Sequence, residues 1–94
     1  MNTHAASFEV FERQAKAEGF DEVTQRDWLP DTVLPEHTHP FDAYAVVVKG
    51  EMWLSCGADT RHIVSGGTFS LSRGTPHSER YGNDGASYWV ARRH

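Results

Sequence analysis

The sequence predicts an all-β fold, a barrel or sandwich preceded by one N-terminal helix. Three observations carry this. From Asp21 onward the chain reads as short strand-like stretches rich in Val, Tyr, Trp, Phe and Thr. Clusters of turn residues separate them: Pro30-Asp31, Lys49-Gly50, Cys56-Gly57-Ala58-Asp59, Ser65-Gly66-Gly67, Arg73-Gly74-Thr75-Pro76 and Asn83-Asp84-Gly85. Before Phe20 the apolar residues repeat at helical spacing instead.

The helix is expected at about residues 8–18, within a helical segment 7–19. Ser7 is a suitable N-cap, and Glu9 falls in the first turn, where the helix dipole favours an anion. Phe8, Phe11 and Ala15 form its apolar stripe, Gly19 stops it, and Phe20 supplies the apolar contact that accompanies a glycine stop. Residues 1–6 read as a polar, flexible tail. Strands are expected near 21–28, 32–39, 43–49, 51–56, 60–64, 68–72, 76–81 and 86–92, which makes 21–93 one β-barrel. In the 43–49 strand, Ala43, Ala45 and Val47 share one face, and Tyr44, Val46 and Val48 share the other. Both faces are apolar, so both must be covered. One can line the barrel interior. The other needs either the helix or a second copy of the chain, and a homodimer is the expected answer.

Composition bounds the function. With 94 residues the chain is a single domain, 1–94, with a modest core of its own. The net charge is −4 and the basic residues are scattered, which excludes a nucleic-acid partner on electrostatic grounds. No apolar run approaches membrane-spanning length and no signal-peptide pattern opens the chain, so no membrane is involved. Cys56 is the lone cysteine. It reads as a small strand residue in a reducing compartment, and the expected location is the cytoplasm.

The chemistry concentrates in histidines. His37 and His39 are two residues apart, which sends them to the same face of a strand. His77 opens another strand, and a barrel wall can bring it to the earlier pair. Three neutral imidazoles with open positions suit borderline divalent ions such as Zn, Fe, Ni, Cu or Mn. The remaining histidines carry less. His4 lies in the tail, His62 in a polar hairpin, and His94 at the C-terminus.

The stretch from His37-Thr-His39 to Gly50 resembles the first motif of the cupins. The stretch from Gly66 through Gly74-Thr-Pro76 to His77 resembles their second. The resemblance implies a small cupin-type β-barrel or jelly roll with a divalent metal (Zn, Fe, Ni or Mn) near one open end, held by His37, His39 and His77. The chain departs from the pattern at three places. The usual motif-1 Glu falls at Ala43, which cannot ligate. The usual motif-2 Pro falls at Ser72, and the Asn often found after the last His falls at Tyr81.

A replacement carboxylate has two candidates. Asp42 is adjacent but out of phase with the histidines, and reaches the metal only through a register shift. Glu79 shares the face of His77, as does Tyr81. Glu79 is then a fourth ligand, a base beside the metal, or half of a buried ion pair. Glu79 and Tyr81 are the candidate catalytic groups, since either can move a proton near the metal. Phe41, Trp53, Tyr88 and Trp89 are further candidates for a pocket wall, with core packing as the alternative.

Two functions follow: a metal-dependent enzyme on a small organic molecule, oxygenase- or isomerase-like, or a non-catalytic metal- or small-molecule-binding module. A structural dimer with a vestigial site is the third reading.

Overall fold

Ser7 caps the helix as its side chain predicts: its oxygen accepts from the Val10 amide at 3.3 Å. The computed structural model describes residues 7–94, so the expected tail at 1–6, with His4, lies outside the described residues. Helix α1 runs Phe8–Ala17, with Glu9 in its first turn and Lys16 in its last, both complementing the dipole. Gly19 takes φ +97°, a conformation that side chains disfavour, and the Phe20 amide turns back to the Ala15 carbonyl at 3.1 Å.

Six strands follow: β1 Glu22–Trp28, β2 Val33–His37, β3 Asp42–Cys56, β4 Asp59–Val64, β5 Thr68–Leu71 and β6 His77–Arg93. All pair antiparallel. The sequence reading expected more strands because it took Lys49-Gly50 and Asn83-Asp84-Gly85 for turns. They are bends within two long strands. β3 and β6 pair along nearly their whole length, from Asp42 opposite Arg93 to Ser55 opposite Ser78, with register shifts around Lys49 and Gly50.

The bend divides the sheet into two halves that share β3 and β6. β1 and β5 flank the half containing residues 42–47 and 86–93. β2 and β4 flank the other. The main core lies between the halves. Ala43, Ala45, Val47, Phe69, Leu71, Tyr88 and Val90 come from the first, and Met52, Leu54, Ile63 and Tyr81 from the second. Burial of these side chains from both halves is the dominant stabilising term.

The second core lies outside the sheet. Phe11 and Ala15 of α1 pack on Val46 and Ala91, with Phe20, Val23, Tyr44, Val48 and Trp89 around them. Phe11 stacks on Tyr44 and tilts against Trp89. Trp89 therefore belongs to this outer layer rather than to a pocket. Val46 is fully buried within one chain. The helix supplies the second layer for which a second copy was expected, and the burial argument for a homodimer is met without one.

Candidate metal centre

His37 ends β2 and His77 begins β6, and the two residues are direct partners in the ladder. His39 lies just past β2, in the segment leading to β3. Its carbonyl accepts the Gly74 amide at 2.8 Å, which ties the loop before His77 to the His37–His39 segment. The rings converge: His37 and His77 lie 4.3 Å apart between centroids, His37 and His39 4.9 Å, and His39 and His77 5.0 Å. Glu79, buried and on the same face of β6, joins them. One ligand atom from each of His37, His39, His77 and Glu79 lies within 4.8 Å of all the others.

Backbone carbonyls set the orientation of two rings. His37 Nδ1 lies 2.7 Å from the Pro35 carbonyl, and His77 Nδ1 lies 2.9 Å from the Thr75 carbonyl. A carbonyl can only accept, so each Nδ1 carries the proton and each Nε2 is left for the cluster. Both Nε2 atoms face Glu79 Oε2, at 3.4 Å from His37 and 3.5 Å from His77. His77 Nε2 is buried and has no hydrogen-bond partner among the described residues. A buried polar atom of this kind is costly unless something outside the chain satisfies it. Protons could serve each imidazole singly, whereas one cation serves all four groups together. Donors about 2.1 Å from a common ion in tetrahedral array stand about 3.4 Å apart, close to the spacings here. The donor set fits a divalent metal.

Glu79 is held from behind. Its Oε1 accepts the hydroxyl of Tyr81, leaving Oε2 to the imidazoles. Tyr81 is fully buried and stacks on Trp28. Burial, then the neighbouring Tyr88 and Glu79, push its hydroxyl far above the ordinary phenol range, so it stays protonated. A cavity of about 30 Å³ opens beside the cluster, lined among others by Phe41, Ala43, Tyr88 and Arg92.

Asp42 does not turn inward. Its Oδ1 accepts the Arg73 amide at 2.8 Å, and its carboxylate pairs with the Arg93 side chain at 3.5 Å. Those contacts, the backbone amide first, hold its carboxyl below the usual range. The carboxylate at the cluster is Glu79. Trp53 also faces away, stacked on His62 and covered by the Arg80 guanidinium at 3.9 Å. His62 pairs with Glu51 at 2.7 Å on that outer surface.

No protein-family model matches the chain, and no curated protein is similar to it in sequence. Solved structures share its fold. A protein of unknown function from Rhizobium leguminosarum bv. viciae superposes with a TM-score of 0.72 at 18% identity, over 76% of this chain and 67% of that one. A DMSP lyase follows at 0.70 and 23%, over 77% of this chain and 37% of the lyase. An oxalate oxidase in complex with the substrate analogue glycolate follows at 0.65 and 26%, over 74% of this chain. The chain spans 40% of the oxidase.

The fold is that of a cupin. Within this cupin-type fold, the two segments that resemble the family motifs do meet, and Ala43 lines the cavity beside the cluster at the position where a carboxylate was expected. Sequence reasoning missed one group there. Arg92 lies directly opposite Ala43 in the β3–β6 register, and it lines the same cavity. The inward phase of β6, through Ala86, Tyr88 and Val90, points to it.

His39 makes the protein's stability pH-dependent. Desolvation first, then the neighbouring His77 and His37, hold its pKa below the ordinary value of 6.5. Between that value and the lowered one, the unfolded chain binds a proton that the folded chain does not. Stability of the chelated protein should therefore fall as pH drops below about 6.5. Thermal melting across pH 5–8 checks this, and His39→Gln should flatten the slope.

Proposed function

We propose that this cupin binds a divalent metal ion, Zn, Fe, Ni or Mn, through His37, His39, His77 and Glu79, and acts on a small organic molecule held beside it. The observation that carries the reading is the buried, unpartnered Nε2 of His77 aimed at Glu79 and at two further imidazoles. A bound metal would act as a Lewis acid on a substrate oxygen, or as a redox centre if it is iron. The chain's own residues do the rest. The Pro35 and Thr75 carbonyls fix the imidazoles. Tyr81 holds Glu79, and its burial suits positioning better than proton transfer. Glu79, with one oxygen toward the cluster, is the group able to take or return a proton. An oxygenase- or isomerase-type reaction fits this arrangement, and the oxalate oxidase neighbour, bound to glycolate, supports a small organic ligand.

The second reading is a non-catalytic binding module. The cavity of about 30 Å³ favours it, since so little space limits what can be turned over. Among the described residues no helix is long and apolar enough to cross a membrane. We place the protein in the cytoplasm on its lone cysteine. A homodimer would use the exposed Leu29 and Val33 beside the β1–β2 turn.

Elemental analysis tests the metal reading, on protein purified without chelator or nickel resin. Near-stoichiometric metal is expected, and His39→Ala should abolish its retention. Metal content unchanged by that substitution would remove His39 from the ligand set. Oxygen uptake by iron-loaded protein with thiols, diketones and phenols separates the enzyme from the binding module.

A further inference from the structure

The cavity beside the metal centre has a second charged wall. Arg92 continues the inward phase of β6 after Tyr88 and Val90, and its direct partner across the ladder is Ala43. A methyl group thus stands beside the guanidinium on the same wall of the cavity. Arg92 Cζ lies over the Phe41 ring, 4.7 Å from its centroid, and Phe41 in turn stacks on His39 at 4.7 Å. This stack holds the guanidinium beside the histidine cluster.

Its donors are largely unspent. Arg92 Nε is buried with no hydrogen-bond partner. Its nearest carboxylate is Glu22, whose Oε2 is 3.7 Å from Nη1, beyond hydrogen-bond length. Glu22 is also half-exposed and accepts from His94 at 2.8 Å. A guanidinium is always charged and presents its donors as a rigid fork matched to a carboxylate. A divalent ion and Arg92 would bring three positive charges to the cavity, against one negative charge on Glu79 within it and one on Glu22 at its outer edge. The positive charge left over favours an anion.

We propose that Arg92 is the specificity group of this site and receives the carboxylate of a small organic acid, whose other oxygen faces the metal. The inference rests on the metal reading for the second contact and on Arg92 alone for the first. The space left by Ala43 is where the carboxylate lies. The cavity of about 30 Å³ suits a small acid.

The test uses cobalt(II)-loaded protein, with glycolate as the probe and its uncharged counterpart glycolamide as the control, both titrated by calorimetry. Wild type should bind glycolate at least about tenfold more tightly than glycolamide, the range expected for charge-assisted hydrogen bonds. Arg92→Gln should erase that preference with cobalt content unchanged, and Arg92→Lys should restore part of it. Arg92→Lys keeps the charge and loses the fork, and its partial preference decides the matter if the Arg92→Gln protein fails to fold. Metal-free wild type should still bind glycolate, more weakly, and lose it on Arg92→Gln. Equal affinity for glycolate and glycolamide, sulfate bound as tightly as glycolate, or an Arg92→Gln protein with wild-type preference each overturns the assignment. Failure to take up cobalt, with Arg92-dependent glycolate binding intact, overturns the metal reading and leaves this one standing.

Discussion

His77→Ala should lower divalent-metal affinity by more than about a hundredfold, beyond the 10–100-fold typical of losing a partner one shell further out. His77 is the most buried of the three imidazoles, at 1% exposure, and its Nε2 has no hydrogen-bond partner among the described residues. Its other nitrogen is committed to the Thr75 carbonyl. The ring therefore cannot rotate to another use, and no neighbouring side chain can replace it. Removing it also relieves an unsatisfied buried group, so the metal-free protein should lose less stability than the deletion of a buried ring usually costs. The two effects should separate: metal affinity collapses while the melting temperature of chelated protein moves little. Competition with a chromophoric chelator measures the first and calorimetric melting the second. His62→Ala is the control, since His62 pairs with Glu51 on the outer surface and should leave metal binding intact. Equal loss of metal from both variants would mean that the cluster is not the binding site.

Much of this site is visible in the sequence, because strand geometry does the work. Residues two apart on a strand share a face, so His37 with His39 and His77 with Glu79 and Tyr81 could be grouped without coordinates. What brings the two groups together is a long-range pairing, His37 opposite His77, and no local signal encodes it. The resemblance of the two motifs supplied it. Asp42 shows the limit of proximity in sequence. It is beside the expected ligand position but out of phase, and the arginines at 73 and 93 claim it. Arg92 was missed for the opposite reason. Its phase was legible, yet its importance depends on its cross-strand partner being alanine. Periodicity shows that a face is apolar and not what covers it, so a second copy was expected where the helix does the covering. The largest error concerns the bends. A glycine pair that turns the chain and a glycine that bends a continuous strand carry the same local signature.

That difference has a measurable consequence, and Gly50→Ala should cost about 3 kcal/mol. Gly50 has φ +75°, where an L-residue loses roughly 1–2 kcal/mol. A Cβ there would stand 2.1 Å from the Gly85 carbonyl oxygen and 2.9 Å from Ala86 Cα. Both contacts are backbone, so the clash cannot be relieved by a side chain swinging away, and forced backbone shifts add about 1–3 kcal/mol. The bend works only because β3 and β6 approach to this distance as they fold one half of the sheet over the other. Gly57, in the β3–β4 turn, has φ +60° with nothing within 4 Å of its Cβ position. Gly57→Ala should therefore pay the backbone term alone, about 1 kcal/mol. In melting temperature the two should differ by roughly 10 °C for a chain of this size. If Gly50 were an ordinary hairpin turn residue, as the sequence first implies, the two substitutions would cost the same. The bend also sets the angle at which His77 and Glu79, in the far half of β6, face Ala43 and Arg92 in the near halves of β3 and β6. A Gly50→Ala protein that still folds should bind metal more weakly than Gly57→Ala under the same conditions, because the corner rather than any ligand has moved.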